Sequence, residues 1–152
     1  MTTDQDSPNS ERPVPVVRED WFLQSLVNLV NRTGAQIGIT LTVGGTQVSG
    51  HLSSGKAYFE EFASVFAQSF ERSAPEFAAA MKEVFEEYGQ LYDDDKKADQ
   101  PRDPPNYIHL KNVHIFTGPN SPIPKNDGSW WRGRIREVEG FILGTLGVDE
   151  DD

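Results

Sequence analysis

Apolar residues near the start of the chain recur at three- and four-residue intervals, the spacing of one face of an α-helix. The five residues with this spacing are Phe22, Leu23, Leu26, Val27 and Val30. Glu19 and Asp20 stand where a helix N-terminus favours negative charge, and Gly34 can adopt the left-handed conformation that ends a helix. The pattern therefore predicts a helix that begins near Asp20 and ends at Gly34.

The spacing changes to a period of two after this helix, which predicts a β-hairpin. The first strand carries its apolar side chains on one face: Ile37, Ile39, Leu41 and Val43. Gly44 and Gly45 can supply the positive φ angles of a tight turn. The returning strand continues the alternation with Val48, Gly50 and Leu52.

Two further helices are predicted by apolar stripes that are rich in aromatic residues. The first stripe consists of Tyr58, Phe59, Phe62, Val65, Phe66 and Phe70, and the second of Phe77, Met81, Val84, Phe85, Tyr88 and Leu91. Ser73 and Glu76 have the spacing of a capping box, which would start the second helix there. We expect both stripes to belong to the core, and a dimer surface is the alternative.

Strand chemistry returns in the second half, where the apolar face changes sides. Ile108 and Leu110 lie on one side of a strand, and Val113 and Ile115 lie on the other. A β-bulge near residues 111–112 would bring all four to the same face. Such a bulge would also decide whether the histidines of this strand share a face.

The last third of the chain predicts a loop followed by strand structure. Residues 118–128 contain three prolines and two asparagines and are expected to form an exposed loop. Residues 130–146 form one long bent strand or two short ones, with the bend at Glu139 and Gly140. The predicted fold is α+β: an antiparallel sheet of four or five strands with an N-terminal helix and two inserted central helices.

Length and charge divide the chain into one domain with two tails. The 152 residues suit a single domain, for which we predict residues 19–147, with a disordered tail at 1–18 and an acidic tail at 148–152. Of the net charge of −10, residues 1–20, 93–103 and 149–152 carry −3, −2 and −4. The domain body is therefore nearly neutral, and a nucleic-acid-binding surplus of basic residues is missing.

Residue types with known chemistry give little support for catalysis or metal binding. Residues 50–56 fit the phosphate-loop pattern G-x-x-x-x-G-K, but Ala57 stands where the magnesium-binding Ser or Thr is needed. We expect Gly50 to be a strand glycine, and Ser53 or Ser54 to cap the next helix. The three histidines are expected to be structural, and the acids at 93–95 lack the spacing of a calcium loop. No cofactor or metal is expected, since there is also no cysteine.

One segment combines basic and aromatic residues and is the candidate interaction surface. Strand alternation would place Trp130, Arg132, Arg134 and Arg136 on one face, and Lys111 and Lys125 would extend it. Tryptophan and arginine dominate the energetic hot spots of protein interfaces. The alternative is a half-buried strand whose arginines are solvated or paired to acids.

Short segments in a fixed order give the chain a resemblance to a known family. They are ITLTV at 39–43, VSGHL at 48–52, YFEEF at 58–62, IHLKN at 108–112, WRGRI at 131–135, EVEGF at 137–141 and LG at 143–144. In this order they resemble the gas vesicle accessory protein GvpU family over residues 21–146. The resemblance implies a non-enzymatic role in gas vesicle assembly or clustering, and it implies no catalytic residues.

The function predicted from these observations is binding. We expect the protein to self-associate as a homo-oligomer and to bind structural or accessory proteins of gas vesicles in the cytoplasm, without contacting DNA or a lipid membrane. The order of helix, hairpin and a strand pair around Arg-Gly is also similar to Sm-like barrels, to which the sheet would be related. That second likeness implies RNA binding as the alternative function, with the central helices as an insertion.

Overall fold

The structure is a computed structural model that describes Pro13 and residues 19–93, 103–119 and 122–147. The first helix, α1, spans Trp21–Thr33. Asp20 caps its N-terminus, accepting hydrogen bonds from the backbone N–H groups of Phe22 and Leu23 at 2.9 and 3.2 Å. Gly34 ends it in the left-handed conformation with φ of 72°. Both predicted termini of this helix are confirmed, because the capping residues satisfy backbone groups that the helix leaves unpaired.

Five antiparallel strands and two more helices complete the fold. The remaining elements are β1 (Ile37–Val43), β2 (Thr46–Ser53), α2 (Gly55–Gln68), α3 (Pro75–Gln90), β3 (Tyr107–Phe116), β4 (Ser129–Arg134) and β5 (Gly140–Leu143). The sheet order is β4-β3-β2-β1-β5. The α+β class, the sheet and the N-terminal and two central helices agree with the prediction.

The predicted bulge in β3 is confirmed. Ser49 of β2 pairs with His114, whereas His51 pairs with Lys111, so Gly50 alone lies opposite two residues of β3. Asn112 takes up the extra residue with a positive φ of 54°. The bulge returns Val113 to the face of the sheet that already holds the apolar side chains before it.

The connection between the last two strands shows that the sheet is curled. A short 3-10 helix, Ile135–Glu137, joins β4 to β5, although these strands lie at opposite edges. In a flat sheet the two edges would lie about 19 Å apart. The link contains a compact helical turn and spans about 16 Å at most. The sheet therefore curves around the core, and the predicted segment at 130–146 is two short strands.

The core lies between α1 and the concave face of the curled sheet. Leu23, Val27 and Val30 of α1 are at most 2 % exposed. They pack against apolar residues from the strands and the 3-10 helix: Ile39, Leu41, Val48, Leu52, Ile108, Leu110, Val113 and Ile135. Phe22 departs from the prediction, since it is 50 % exposed and contacts Phe141 at the rim with a ring separation of 5.7 Å. Four of the five predicted apolar positions of α1 therefore contact the core.

The two central helices form a hairpin outside this core, contrary to the expectation that their stripes belong to it. The fully buried residues of α2 and α3 are small: Gly55, Ala63, Ala67, Ala78 and Gly89. Phe85 contacts Phe62 and Phe66 with ring separations of 5.1 and 5.0 Å, so the aromatic side chains pack mainly on each other. Each helix of the hairpin packs mainly against the other, so aromatic side chains on the remaining faces stay partly exposed.

The start of the third helix is a second correction. Its N-cap is Ala74, which makes no side-chain capping hydrogen bond, and the helix begins with Pro75. The predicted capping box at Ser73 and Glu76 is therefore wrong. Proline suits the first helical position and forces the preceding residue out of the helical region, which fixes the start one residue later. The predicted cap of α2 is confirmed at Ser54, which accepts a hydrogen bond from the N–H of Ala57 at 3.1 Å.

The bulge provides a test of the fold. A Cβ at Gly50 would lie 2.7 Å from the carbonyl oxygen of Lys111 and 2.8 Å from Cγ2 of Val113. We expect Gly50→Ala to lower the free energy of unfolding by about 1–3 kcal/mol, because backbone or a core side chain must move. Gly140→Ala is the control, since its Cβ would meet nothing within 4 Å. Urea unfolding followed by tryptophan fluorescence measures both, and equal midpoints would contradict this account of the bulge.

Candidate interaction surface

The convex face of the sheet carries the predicted arginines. In β4, Arg132 pairs with His109 of β3 and Arg134 pairs with Tyr107, which places both arginines on the side opposite the core. Trp131, which precedes Arg132, points inward and packs against the core. A side chain at Gly133 would overlap the ring of Trp131, which explains the small residue between the arginines. Alternation within β4 is therefore as predicted.

Arg132 is held flat against aromatic rings. Its guanidinium carbon lies 3.6 Å from the ring centre of Tyr107 and 5.8 Å from that of Phe59. Hydrogen bonding and positive charge from Arg132 and Arg134 favour the phenolate form of Tyr107 and hold its pKa below the usual 10.0. Stacking on an aromatic face orients the guanidinium and leaves its charge available.

Arg134 and Arg136 form the rest of a row on the same side. They line a concavity of about 270 Å³ together with Glu19, Asn106 and Tyr107. Arg136 lies in the 3-10 helix and not in a strand, yet it still meets Arg134 there. We refer to Arg132, Arg134 and Arg136 as the arginine row. Within the described residues the ion pairs involve Lys56 and Lys82, and none involves the arginine row.

The remaining candidates differ in how they relate to the row. Trp130 is half-buried beneath Lys111, whose ammonium lies 5.8 Å from its ring, and it contacts Tyr58 of α2 with a ring separation of 5.7 Å. Lys111 and Trp130 therefore extend the surface toward α2. Lys125 is exposed in the segment before β4, and the structure shows no contact that links it to the arginine row.

A groove next to the arginine row was not predicted. It has a volume of about 370 Å³, and we call it the aromatic groove; its lining is Tyr58, Phe59, Phe62, Phe85, Tyr88 and Arg132. The helical stripes had already singled out the five aromatic residues, but as core. Only the placement of α2 and α3 against β4 shows that they enclose a groove with an arginine at its border.

His109 supports this surface from below. It is 1 % exposed, and the rings of Tyr58, Phe59 and Tyr92 surround it at 4.7, 6.0 and 5.8 Å. Its Nε2 atom is buried without a hydrogen-bond partner among the described residues. Burial, and secondarily the charge of Arg132, lowers the pKa of His109 from 6.5 to about 3. This histidine is therefore neutral at physiological pH.

The other sequence motifs form no additional site within the part of the chain that the structure describes. The strand before the phosphate-loop-like segment pairs antiparallel on both sides, as expected, and Lys56 forms an ion pair with Asp93 at 3.0 Å. The bulge places His51, His109 and His114 on one face of the sheet. Even so, the described part of the chain contains no group of three residues able to hold a metal ion. Its helices are also too short or too polar to cross a bilayer.

Comparison with known proteins places this molecule in a family. Arginines beside aromatic side chains are the composition of protein-binding hot spots, here on a small α+β domain. The model of the GvpU-like family, gas vesicle protein GvpU-like, matches residues 20–146. The chain therefore belongs to the GvpU-like family of gas vesicle proteins. No curated protein matches it. No solved structure matches it either.

The buried histidine predicts a pH dependence of stability. The pKa of His109 is lower in the folded state than in the unfolded state, so the unfolded chain binds the extra proton. The free energy of unfolding that depends on neutral His109 is fully present above pH 6.5, and it falls as the pH decreases toward 3. Between about pH 7.5 and 5.5 we expect the titration of His109 to lower the free energy of unfolding of the wild type by about 1.4 kcal/mol. His109→Phe should lack this decrease.

Urea unfolding of both proteins at several pH values in this range measures the effect. His114→Gln is the control, because His114 lies at the edge of the same face, with Nε2 2.8 Å from the carbonyl oxygen of Asn126. We expect it to keep the wild-type pH profile. A His109→Phe protein that loses as much stability as wild type would show that His109 is not the titrating group.

Proposed function

We propose that this protein is a non-enzymatic accessory protein that acts in gas vesicle assembly or clustering, in the cytoplasm. It does so by associating with itself and by binding vesicle proteins. Membership of a gas vesicle protein family supports the pathway. The observation that carries the mechanism is the arginine row beside the aromatic groove, a surface with charge and apolar area whose arginines form no ion pair among the described residues, although Glu19 lines the same concavity as Arg134 and Arg136.

The arginine row supports binding to an acidic macromolecular surface. Its arginines are exposed, apart from the stacking of Arg132 on Tyr107. Exposed, preoriented guanidinium groups lose little conformational entropy when they pair with carboxylates. Charge complementarity of this kind raises association rates and makes them dependent on salt.

The helical hairpin supports self-association. Outside the aromatic groove it exposes four large apolar residues by 36–69 %: Val65, Phe77, Val84 and Leu91. Large apolar side chains exposed together on one helical hairpin favour contact with another molecule. A protein with one surface for particles and another for itself can link particles, because many weak contacts add up to strong avidity.

Co-flotation with isolated gas vesicles tests this function. Purified protein is mixed with vesicles, the vesicles are floated, and the protein in the buoyant layer is measured over a salt series. We expect the protein to float with the vesicles and to clump them. Recovery should fall as salt increases, since the Debye length shortens from about 30 Å at 0.01 M to about 8 Å at 0.15 M.

A matched pair of variants tests the surface. Arg134→Gln with Arg136→Gln removes two exposed charges from the arginine row, and Arg72→Gln with Lys82→Gln removes two from the helical hairpin. We expect about a tenfold loss of vesicle affinity for the first protein only. Equal losses of vesicle affinity in both proteins would show that net charge, and not the arginine row, determines binding. Absence of wild-type protein from the floating layer at low salt would contradict vesicle binding, and retention on RNA would then favour the Sm-like alternative.

A further inference from the structure

The arginine row and the aromatic groove form one continuous docking site. Arg132 belongs to both, with its guanidinium between Tyr107 and Phe59. On one side of it the groove offers about 370 Å³ lined by five aromatic residues. On the other side Arg134 and Arg136 line their own concavity. A segment that matches this site has an apolar residue followed directly by several acids.

The chain itself contains such a segment outside the described residues. Residues 148–152 read Val-Asp-Glu-Asp-Asp, one apolar residue followed by four acids. The tail charge of −4 is complementary to the three positive charges of the row. The order of apolar and acidic residues also matches the order of groove and arginines.

The fold decides whether the tail reaches this site in its own molecule. The backbone N–H of Leu146 donates to the Ser49 hydroxyl at 2.7 Å, which fixes the start of the tail on β2. Arg132 lies two strands across and four residues along from Ser49, a separation of about 16 Å. Val148 follows Leu146 by two residues and extends only about 7 Å. In its own chain Val148 therefore stops about 9 Å short of the Arg132 backbone at the border of the groove, whereas a tail from another molecule has no such limit.

We propose that residues 148–152 of one copy dock on the arginine row and aromatic groove of a second copy, with Val148 in the groove and the acids along the arginines. This proposal rests on the proposed self-association and adds the arginine row and aromatic groove to the helical hairpin as a contact between copies. The tail of one copy meets the site of another, so the contact propagates when the tail and the site engage different neighbours and closes a dimer when two copies exchange tails. Each exposed ion pair is weak, and the contact therefore depends on several pairs and on low salt.

A mixing experiment tests the contact in trans. One full-length variant has a neutral tail: Asp149→Asn, Glu150→Gln, Asp151→Asn and Asp152→Asn. The other keeps its tail and has a reversed row, Arg134→Glu with Arg136→Glu. Sedimentation velocity at low salt should show about a tenfold weaker self-association constant for each variant alone than for wild type. An equimolar mixture should form a heterodimer, because the intact tail of one meets the intact row of the other.

Two controls separate this contact from general charge and apolar effects. Arg72→Glu with Lys82→Glu changes the charge equally on the helical hairpin and should leave self-association within about twofold of wild type. Val148→Ser should weaken it, whereas Leu29→Ser, which changes an exposed leucine of α1 outside the groove, should not. The proposal is overturned if the neutral-tail protein self-associates like wild type, or if the mixture forms no heterodimer.

The same proteins separate this proposal from the proposed function. A neutral-tail protein that self-associates and clumps vesicles like wild type overturns the tail contact and leaves the vesicle role intact. If the two variants form the tail-dependent heterodimer but wild-type protein never floats with vesicles, the contact is supported and the vesicle role is contradicted.

Discussion

The bulge of β3 opposite Gly50 is the constraint on which the two faces of the sheet depend. Without it, Val113 and the residues after it would point to the face opposite the core. With it, Ile108, Leu110 and Val113 fill one side of the strand continuously, while His109 and Lys111 face the other. The concave face can then be apolar under α1, and the convex face can carry polar and charged side chains.

The helical hairpin of α2 and α3 lies outside the core and contributes mainly to the exposed surface. The core is complete without α2 and α3, because α1 and five strands bury each other. The hairpin contributes small residues where its helices meet and leaves its large rings partly in solvent. Exposed aromatic area lowers solubility unless it is covered, and charge on the same surface offsets that tendency. This exposed surface is the basis of the self-association proposed above.

Electrostatics favours the same interpretation. The chain is acidic overall, with a net charge of −10, yet most of that charge lies in its terminal segments and in residues 93–103. The arginine row keeps a local positive charge on a nearly neutral body. Beneath it, His109 stays neutral because burial and Arg132 both disfavour its protonated form. Salt therefore screens the charge of the arginine row, whereas His109 beneath it changes its charge only in acid.

Local sequence determined α1, the β1–β2 turn, the bulge and the alternation within β4, because each depends on caps, glycines or a period that neighbouring residues set. Sequence also singled out the arginine row and the aromatic stripes. It failed for the start of α3, where Pro75 outweighs a capping box. Tertiary structure alone decided that the stripes leave the core, that β4 and β5 occupy opposite edges, and that an arginine borders a groove. Those features depend on which surfaces remain after α1 has covered the concave face, and residues distant in the chain determine that.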